Sequence, residues 1–174
     1  MTRRFSPAPA ELPREAFLER FAGVYEHSPW IAEAAWTAGL LPSSDTPEGL
    51  SAALDAQVSA GGRARQLALL RAHPDLAGRL ALAGGLTEDS RSEQAGAGLD
   101  QCTPEELAEF QALNADYVAK NGFPFILAVK GRHRTEILEV FRARARNAPE
   151  AEFAEALEQV RRIALLRLEA LAEA

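Results

Sequence analysis

Apolar residues recur along most of the chain at the three- and four-residue spacing of amphipathic helices. Phe17, Phe21 and Val24 follow this spacing and predict a helix over residues 15–25. Similar spacing between helix-start and helix-stop residues predicts the remaining helices. Their ranges are 30–38, 47–59, 63–72, 104–121, 135–146 and 150–172.

The residues at the ends of these segments indicate where the helices begin and stop. Ser28 precedes Pro29 and is predicted to cap the helix from Trp30. Thr103 and Glu106 have the spacing of a capping box. Pro74 follows His73 and disfavours helical geometry there, so a helix is predicted to end before it.

One apolar run, residues 123–129, is short enough to be a buried strand. No partner strand is evident elsewhere in the sequence, so we interpret the run as an extended turn that leads into buried structure. The fold class predicted is all-α, a single-domain helical bundle of about seven to nine helices. This domain is predicted to cover residues 1–174, with about residues 1–12 as a leading segment.

Composition narrows the function classes. The 174 residues are 47% hydrophobic and carry a formal net charge of -6, which disfavours a general nucleic-acid or anionic-membrane role. A single cysteine excludes an internal disulfide framework and a cysteine-based zinc site. The sequence shows no membrane-spanning run, no signal peptide and no peroxisomal address, and we expect a cytoplasmic protein.

Two short polar clusters stand out from this alanine-rich background. HPDL at residues 73–76 supplies an imidazole, and SRSEQ at residues 90–94 supplies a carboxylate. Together these groups are the usual parts of an acid–base site. Structural roles are also open: His73 and Asp75 can cap helix ends, and Ser90 with Glu93 matches a capping box.

The last predicted helix places an arginine on its apolar face. At 100° per residue, Arg167 falls inside the stripe of apolar residues, whereas Arg162 points the opposite way. The stripe comprises Phe153, Leu157, Val160, Ala164, Leu168 and Leu171. A buried guanidinium needs an anion, so Arg167 is either a structural ion pair or snorkelling stem, or a group that binds a substrate carboxylate.

Other chemistries receive less support. His73, Asp75 and Glu93 are possible metal ligands but lack the spacing of a preformed site. We interpret the basic segment around His133 as a solvated helix face, with a phosphate or RNA patch as the alternative. Its cations are Lys130, Arg132, Arg134, Arg142, Arg144 and Arg146.

Several motifs, taken in order, resemble one family. They are FAGVYEHSPW at residues 21–30, QLALLRAHPDLAG at 66–78, LTEDSRSEQAGAGL at 86–99, LNADY at 113–117, GFPFI at 122–126 and LRL at 166–168. This set is similar to 2-oxo-4-hydroxy-4-carboxy-5-ureidoimidazoline (OHCU) decarboxylase, an enzyme of urate breakdown. The resemblance covers almost the whole chain.

The resemblance implies an all-helical homodimeric enzyme that needs no cofactor or metal and converts the small molecule OHCU to (S)-allantoin and carbon dioxide. It places the catalytic groups on His73, Glu93 and Arg167. It implies substrate contacts at Pro74, Ser90, Arg91, Ser92, Gln94 and, through the backbone, at Phe125, Ile126, Leu127, Ala128 and Val129.

Within this hypothesis His73 is the general acid/base and Glu93 orients it or the substrate N–H groups. Arg167 would bind an anionic or carbonyl oxygen, while Ser90 and Gln94 would hydrogen-bond the ureido or ring amide edges. Two alternatives stay open at this point. One is a helical binding module without activity, and the other is a metal-dependent hydrolase using His73, Asp75 and Glu93.

Overall fold

The computed structural model describes residues 3–78 and 86–173, and within these ranges the secondary structure is entirely helical. The described α-helices are α1 (Arg14–Phe21), α2 (Trp30–Ala38), α3 (Pro47–Ala60), α4 (Gly62–Arg71), α5 (Glu88–Gly96), α6 (Pro104–Asn121), α7 (Arg134–Arg144) and α8 (Pro149–Glu173). Single 3-10 turns occupy Pro9–Glu11, Ala22–Val24, Pro42–Asp45 and Leu99–Gln101. The all-α prediction is confirmed.

The chain divides into two compact units. One comprises residues 1–72 and 160–174, and the other comprises residues 73–159. The long helix α8 contributes its first part to the second unit and its remainder to the first. No helix among the described residues is both long and apolar enough to cross a membrane.

In the first unit, aromatic side chains of α1 form much of the core. Phe17 and Phe21 are buried, and their ring centroids lie 5.1 Å apart. Trp36 of α2 packs against Phe17 at 5.4 Å between ring centroids. In the late apolar stripe of α8, Val160, Ala164 and Leu168 are buried, as the helical periodicity predicts, and Leu171 is half-buried.

In the second unit, the run at residues 123–129 forms part of the core without being a strand. Phe125 stacks on Phe141 with ring centroids 3.9 Å apart. Tyr117 of α6 meets the Phe125 ring edge-on at 5.5 Å. The interpretation of this run as an extended turn that enters buried structure is confirmed.

Most predicted helix ends are confirmed, and the exceptions have local causes. Thr103 Oγ1 accepts a hydrogen bond from Glu106 N at 3.1 Å, and Gly122 ends α6 with φ +80°. Ser28 is not a side-chain cap, because its hydroxyl instead donates to the Glu26 carbonyl at 2.8 Å. Helix α1 ends at Phe21, where the chain tightens into a 3-10 turn.

The basic segment around His133 is not simply a solvated face. Arg134 pairs with Glu106 at 2.6 Å, and Arg142 pairs with Glu109 at 2.5 Å. Arg144 is buried, with its guanidinium 2.7 Å from Glu152. The solvated-face interpretation is therefore wrong for Arg144, because an acidic partner eight residues later in the sequence makes its burial possible.

Candidate active site

The polar cluster at residues 90–94 lies inside helix α5, not at its start. Thr87 is the N-cap, and its Oγ1 accepts a hydrogen bond from Ser90 N at 3.3 Å. The capping-box interpretation of Ser90 with Glu93 is therefore wrong, since Ser90 already occupies the third helical position. Ser90, Glu93 and Gln94 are separated by three and four residues and share one helix face.

Burial distinguishes the five residues of this cluster. Ser90 and Gln94 are buried, and Glu93 is half-buried. Arg91 and Ser92 are exposed on the other side of the helix. Their predicted substrate contacts stay predictions.

His73 lies just beyond the end of α4, as the following proline predicts. The helix ends at Arg71, Ala72 is its C-cap, and the His73 side chain is only 8% exposed. Pro74 and Asp75 are half-buried. Burial raises the pKa of the Asp75 carboxyl above its ordinary value, because its charged form loses contact with water.

The side chain of Gln94 joins the two polar clusters. Its Oε1 accepts a hydrogen bond from Ala77 N at 3.1 Å, and its Nε2 donates to Asp75 O at 3.2 Å. The turn that follows His73 is thereby attached to helix α5. Gln94 has a supporting role beyond the predicted substrate contact, which stays a prediction.

Helix α6 holds the same turn from a second direction. Asn114 is buried, and its Nδ2 donates to Leu76 O at 3.0 Å. Ala77 has φ +49°, and a Cβ on Gly78 would lie 2.3 Å from the Asp75 Cβ. Two buried amide side chains therefore fix a tight turn that a larger residue at position 78 would disrupt.

Sequence analysis gave Asn114 no role, although a signal was available. With Phe110 and Tyr117 it forms a buried i, i+4, i+7 row on α6. A polar group within such a row needs a partner, by the same reasoning that drew attention to Arg167. The sequence does not reveal that this partner is a backbone carbonyl near His73.

The backbone at residues 125–129 is held by two buried side chains. Arg144 Nη1 donates to Ile126 O at 2.7 Å, and Gln159 Oε1 accepts from Ala128 N at 3.0 Å. Phe125, Ile126, Leu127 and Val129 are buried, and Ala128 is half-buried. Their predicted backbone contacts with substrate stay predictions.

Arg167 is buried in the first unit, as the helical spacing predicts. Its Nη2 donates to Glu26 Oε1 at 3.0 Å, and its Nη1 donates to Val24 O at 3.2 Å. These contacts support the structural ion pair that the sequence left open. The predicted catalytic role of Arg167 stays a prediction, and sequence analysis missed Glu26 although it lies within the quoted FAGVYEHSPW motif.

No group of three or more His, Cys, Asp or Glu side chains is placed to hold a metal ion in residues 3–78 and 86–173.

The comparisons with known proteins agree with the ordered motifs. The sequence model of a family described as OHCU decarboxylase matches residues 10–169. The chain belongs to the OHCU decarboxylase family. The match includes both polar clusters and Arg167.

Individual members of the OHCU decarboxylase family support this assignment. The chain is 41% identical over 158 residues to the 2-oxo-4-hydroxy-4-carboxy-5-ureidoimidazoline decarboxylase of Halalkalicoccus jeotgali, covering 91% of this chain and 86% of the relative.

Two solved structures are similar as well. An (S)-allantoin synthase structure has a TM-score of 0.74 and 33% identity, covering 94% of this chain and 52% of its own. The chain thus spans about half the length of that protein. A structure of OHCU decarboxylase in the presence of (S)-allantoin has a TM-score of 0.64 and 26% identity, covering 83% of this chain and 92% of its own.

Proposed function

We propose that this chain is a carboxy-lyase that converts OHCU to (S)-allantoin and carbon dioxide in urate degradation. The observation that carries the proposal is the pair of hydrogen bonds between the Gln94 side chain and the turn after His73. They connect the imidazole-bearing turn to the helix that carries Ser90 and Glu93. This arrangement gives a small substrate an acid–base group and several hydrogen-bonding groups within one unit.

The substrate supplies the electron sink for the reaction. The ring carbon that bears its carboxylate and hydroxyl adjoins a C=N bond, so the electrons of the breaking C–C bond can move into that bond. Carbon dioxide leaves, an enol-like intermediate remains, and one proton is then added to one face of a ring carbon. The protein has to orient the carboxylate, stabilise the developing charge and deliver that proton.

We assign these tasks to the predicted site residues. His73 exchanges protons with the hydroxyl and the ring carbon, and Glu93 orients His73 or the substrate N–H groups. Ser90 hydrogen-bonds an amide edge of the substrate. Arg167 binds an anionic or carbonyl oxygen.

The test uses OHCU generated in situ from urate, with formation of (S)-allantoin followed by circular dichroism. We expect the wild-type chain to accelerate OHCU loss and to yield one enantiomer. His73→Ala and Glu93→Ala are expected to lose nearly all of this acceleration while keeping the helical far-ultraviolet spectrum. Loss of about 10²–10⁴-fold is typical when a general acid or base is removed.

His133→Asn is the matched control for the histidine variant. His133 is exposed and is the N-cap of α7, a position that asparagine also occupies well. We expect this variant to retain wild-type turnover. If racemic allantoin forms at the uncatalysed rate in the presence of the wild-type chain, the protein would instead be a binding module that lacks the activity.

We further propose that the protein acts as a cytoplasmic homodimer. Support comes from the resemblance to the OHCU decarboxylase family. Sedimentation equilibrium at micromolar concentration is expected to give twice the chain mass of 18.8 kDa. A single species of chain mass across the concentration range would rule out the dimer.

A further inference from the structure

Residues 124–129 belong to neither a helix nor a sheet. Hydrogen bonds from side chains hold their backbone instead. Ile126 O receives a hydrogen bond from Arg144, and Ala128 N donates one to Gln159. These two groups lie on the peptide units immediately before and after Leu127. Both peptide planes at Leu127 are therefore held in place.

The geometry of the peptide bond determines the directions of the Leu127 N–H and C=O groups. In a trans peptide the C=O and N–H groups point in opposite directions. The bond from Arg144 to Ile126 O therefore directs the Leu127 N–H away from Arg144. In the same way, the bond between Gln159 and Ala128 N directs the Leu127 C=O away from Gln159.

The polar backbone groups of Leu127 still need partners. Leu127 is only 4% exposed, and its N–H and C=O make no hydrogen bond within the described part of the chain. Buried backbone groups are rarely left without a partner. A donor and an acceptor on one residue complement a ligand that presents a C=O beside an N–H, as ureido and cyclic amide groups do.

The anchoring arginine is itself unusually well supported. Its guanidinium forms several bonds to Glu152, the closest at 2.7 Å from Nη2, and lies 4.4 Å from the Phe125 ring centroid. Glu152 also accepts from Tyr117 Oη at 2.6 Å and from Asn147 Nδ2 at 3.1 Å.

A buried ion pair of this kind is weak evidence for a contribution to stability, because desolvation offsets its attraction. Unlike a pair of apolar side chains, however, the pair of Arg144 with Glu152 fixes the orientation of the Ile126 carbonyl. Gln159 is similarly constrained, since its Nε2 donates to Glu155 Oε1 at 2.7 Å.

We propose that Arg144 and Gln159 are positioning residues that aim the N–H and C=O of Leu127 at the amide edge of the substrate. The inference rests on the proposed decarboxylase function and extends it to two residues outside the predicted site. Neither residue needs to touch the substrate. Their effect is expected mainly on KM, because a binding contact that is equal in ground and transition states changes KM and leaves kcat unchanged.

The first test removes and then restores the Gln159 anchor. Gln159→Leu is expected to raise KM for OHCU about tenfold, with kcat within about threefold of wild type. The double variant Gln159→Glu with Glu155→Gln exchanges the two side chains. Its carboxylate at position 159 can accept from Ala128 N and from the new amide, so KM is expected to return to within about threefold.

The second test uses Arg144→Lys, which keeps the positive charge beside Glu152. One ammonium group lacks the planar fork that reaches Glu152 and the Ile126 carbonyl together. A rise in KM of about tenfold is expected here too. Arg142→Lys on the same helix is the control, because Arg142 forms only an exposed pair with Glu109 and should keep the wild-type KM.

The outcomes separate this inference from the proposed function. An active wild type together with an unchanged KM in folded Gln159→Leu would overturn the positioning role and leave the decarboxylase assignment intact. If Gln159→Leu fails to fold, the double variant Gln159→Glu with Glu155→Gln provides the test. A KM of this double variant as high as that of Arg144→Lys would also overturn the positioning role. A wild-type chain without OHCU turnover would overturn the function and this inference with it.

Discussion

Single polar residues on apolar helix faces carry much of the structural information in this chain. Arg167 and Asn114 both occupy such positions, and both are buried against groups far away in the sequence. Their need for a partner follows from the cost of burying an unpaired charge or amide. The identity of the partner depends on tertiary packing, so local sequence reasoning does not provide it.

Arg167 allows the structural and catalytic interpretations to be separated. Arg167→Met is expected to lower the free energy of unfolding by about 3–5 kcal/mol, because the buried Glu26 carboxylate would lose its guanidinium partner. Adding Glu26→Gln removes that charge and should recover part of the loss in urea denaturation. If Arg167 binds substrate oxygen, the stabilised double variant remains inactive.

The same double variant can also contradict a catalytic role for Arg167. Wild-type turnover by the folded double variant would remove Arg167 from the proposed catalytic set and leave it as a structural residue. Arg162→Met is the matched control, because Arg162 is exposed on the opposite side of α8. It should change neither stability nor turnover appreciably.

At the level of secondary structure, local signals predicted most elements because caps and helix-ending glycines act over a few residues. The predicted ranges of α2 and α6 are confirmed, and those of α3, α4, α7 and α8 differ from the structure by one or two residues at the ends. Helix α5 shows the limit of this reasoning. Thr87 and Ser90 both have capping chemistry, but only Ser90 was considered as the cap from the sequence, and the structure has Thr87 there.

The cap of α5 can be tested directly. Thr87→Ala is expected to lower the free energy of unfolding by about 1 kcal/mol, because Ser90 N loses its acceptor. Thr87→Ser keeps a hydroxyl at the same position and should retain most of that free energy. Urea denaturation with an unchanged m-value measures both effects. Equal stability of Thr87→Ala and wild type would contradict a stabilising cap at Thr87.

At the scale of the whole molecule, each compact unit contains a buried arginine–glutamate pair whose guanidinium also donates to a backbone carbonyl. Arg167 with Glu26 holds the Val24 carbonyl, and Arg144 with Glu152 holds the Ile126 carbonyl. Sequence analysis identified the family and the fold class but neither acidic partner. The prediction of a single domain over residues 1–174 stays a prediction.

The pair in the second unit makes stability depend on pH. Burial by itself would raise the pKa of Glu152, but hydrogen bonds from Arg144 and Tyr117 outweigh it and hold the pKa below its ordinary value. A carboxyl with a lowered folded-state pKa stabilises the protein above its unfolded-state pKa, and this contribution is lost as the pH falls. Glu152→Gln should therefore differ most from wild type at neutral pH.

The stability gap between wild type and Glu152→Gln should narrow as the pH falls below about 4.5. Thermal or urea unfolding across pH 3–7 measures the gap. Glu109→Gln is the control, since its pair with Arg142 lies at the surface and such pairs contribute little. A gap for Glu152→Gln that stays constant over this pH range would contradict the account.

Helix α6 sets the spacing between two contacts in the second unit. Asn114 reaches the turn after His73, and Tyr117 reaches the Glu152 carboxylate behind the Ile126 carbonyl. The two positions are three residues apart, which is a rise of about 4.5 Å along the helix axis. One inserted residue between them would rotate one contact by about 100° relative to the other. In this chain, an insertion at either end of α6 should therefore disturb these contacts less than an insertion between the two side chains.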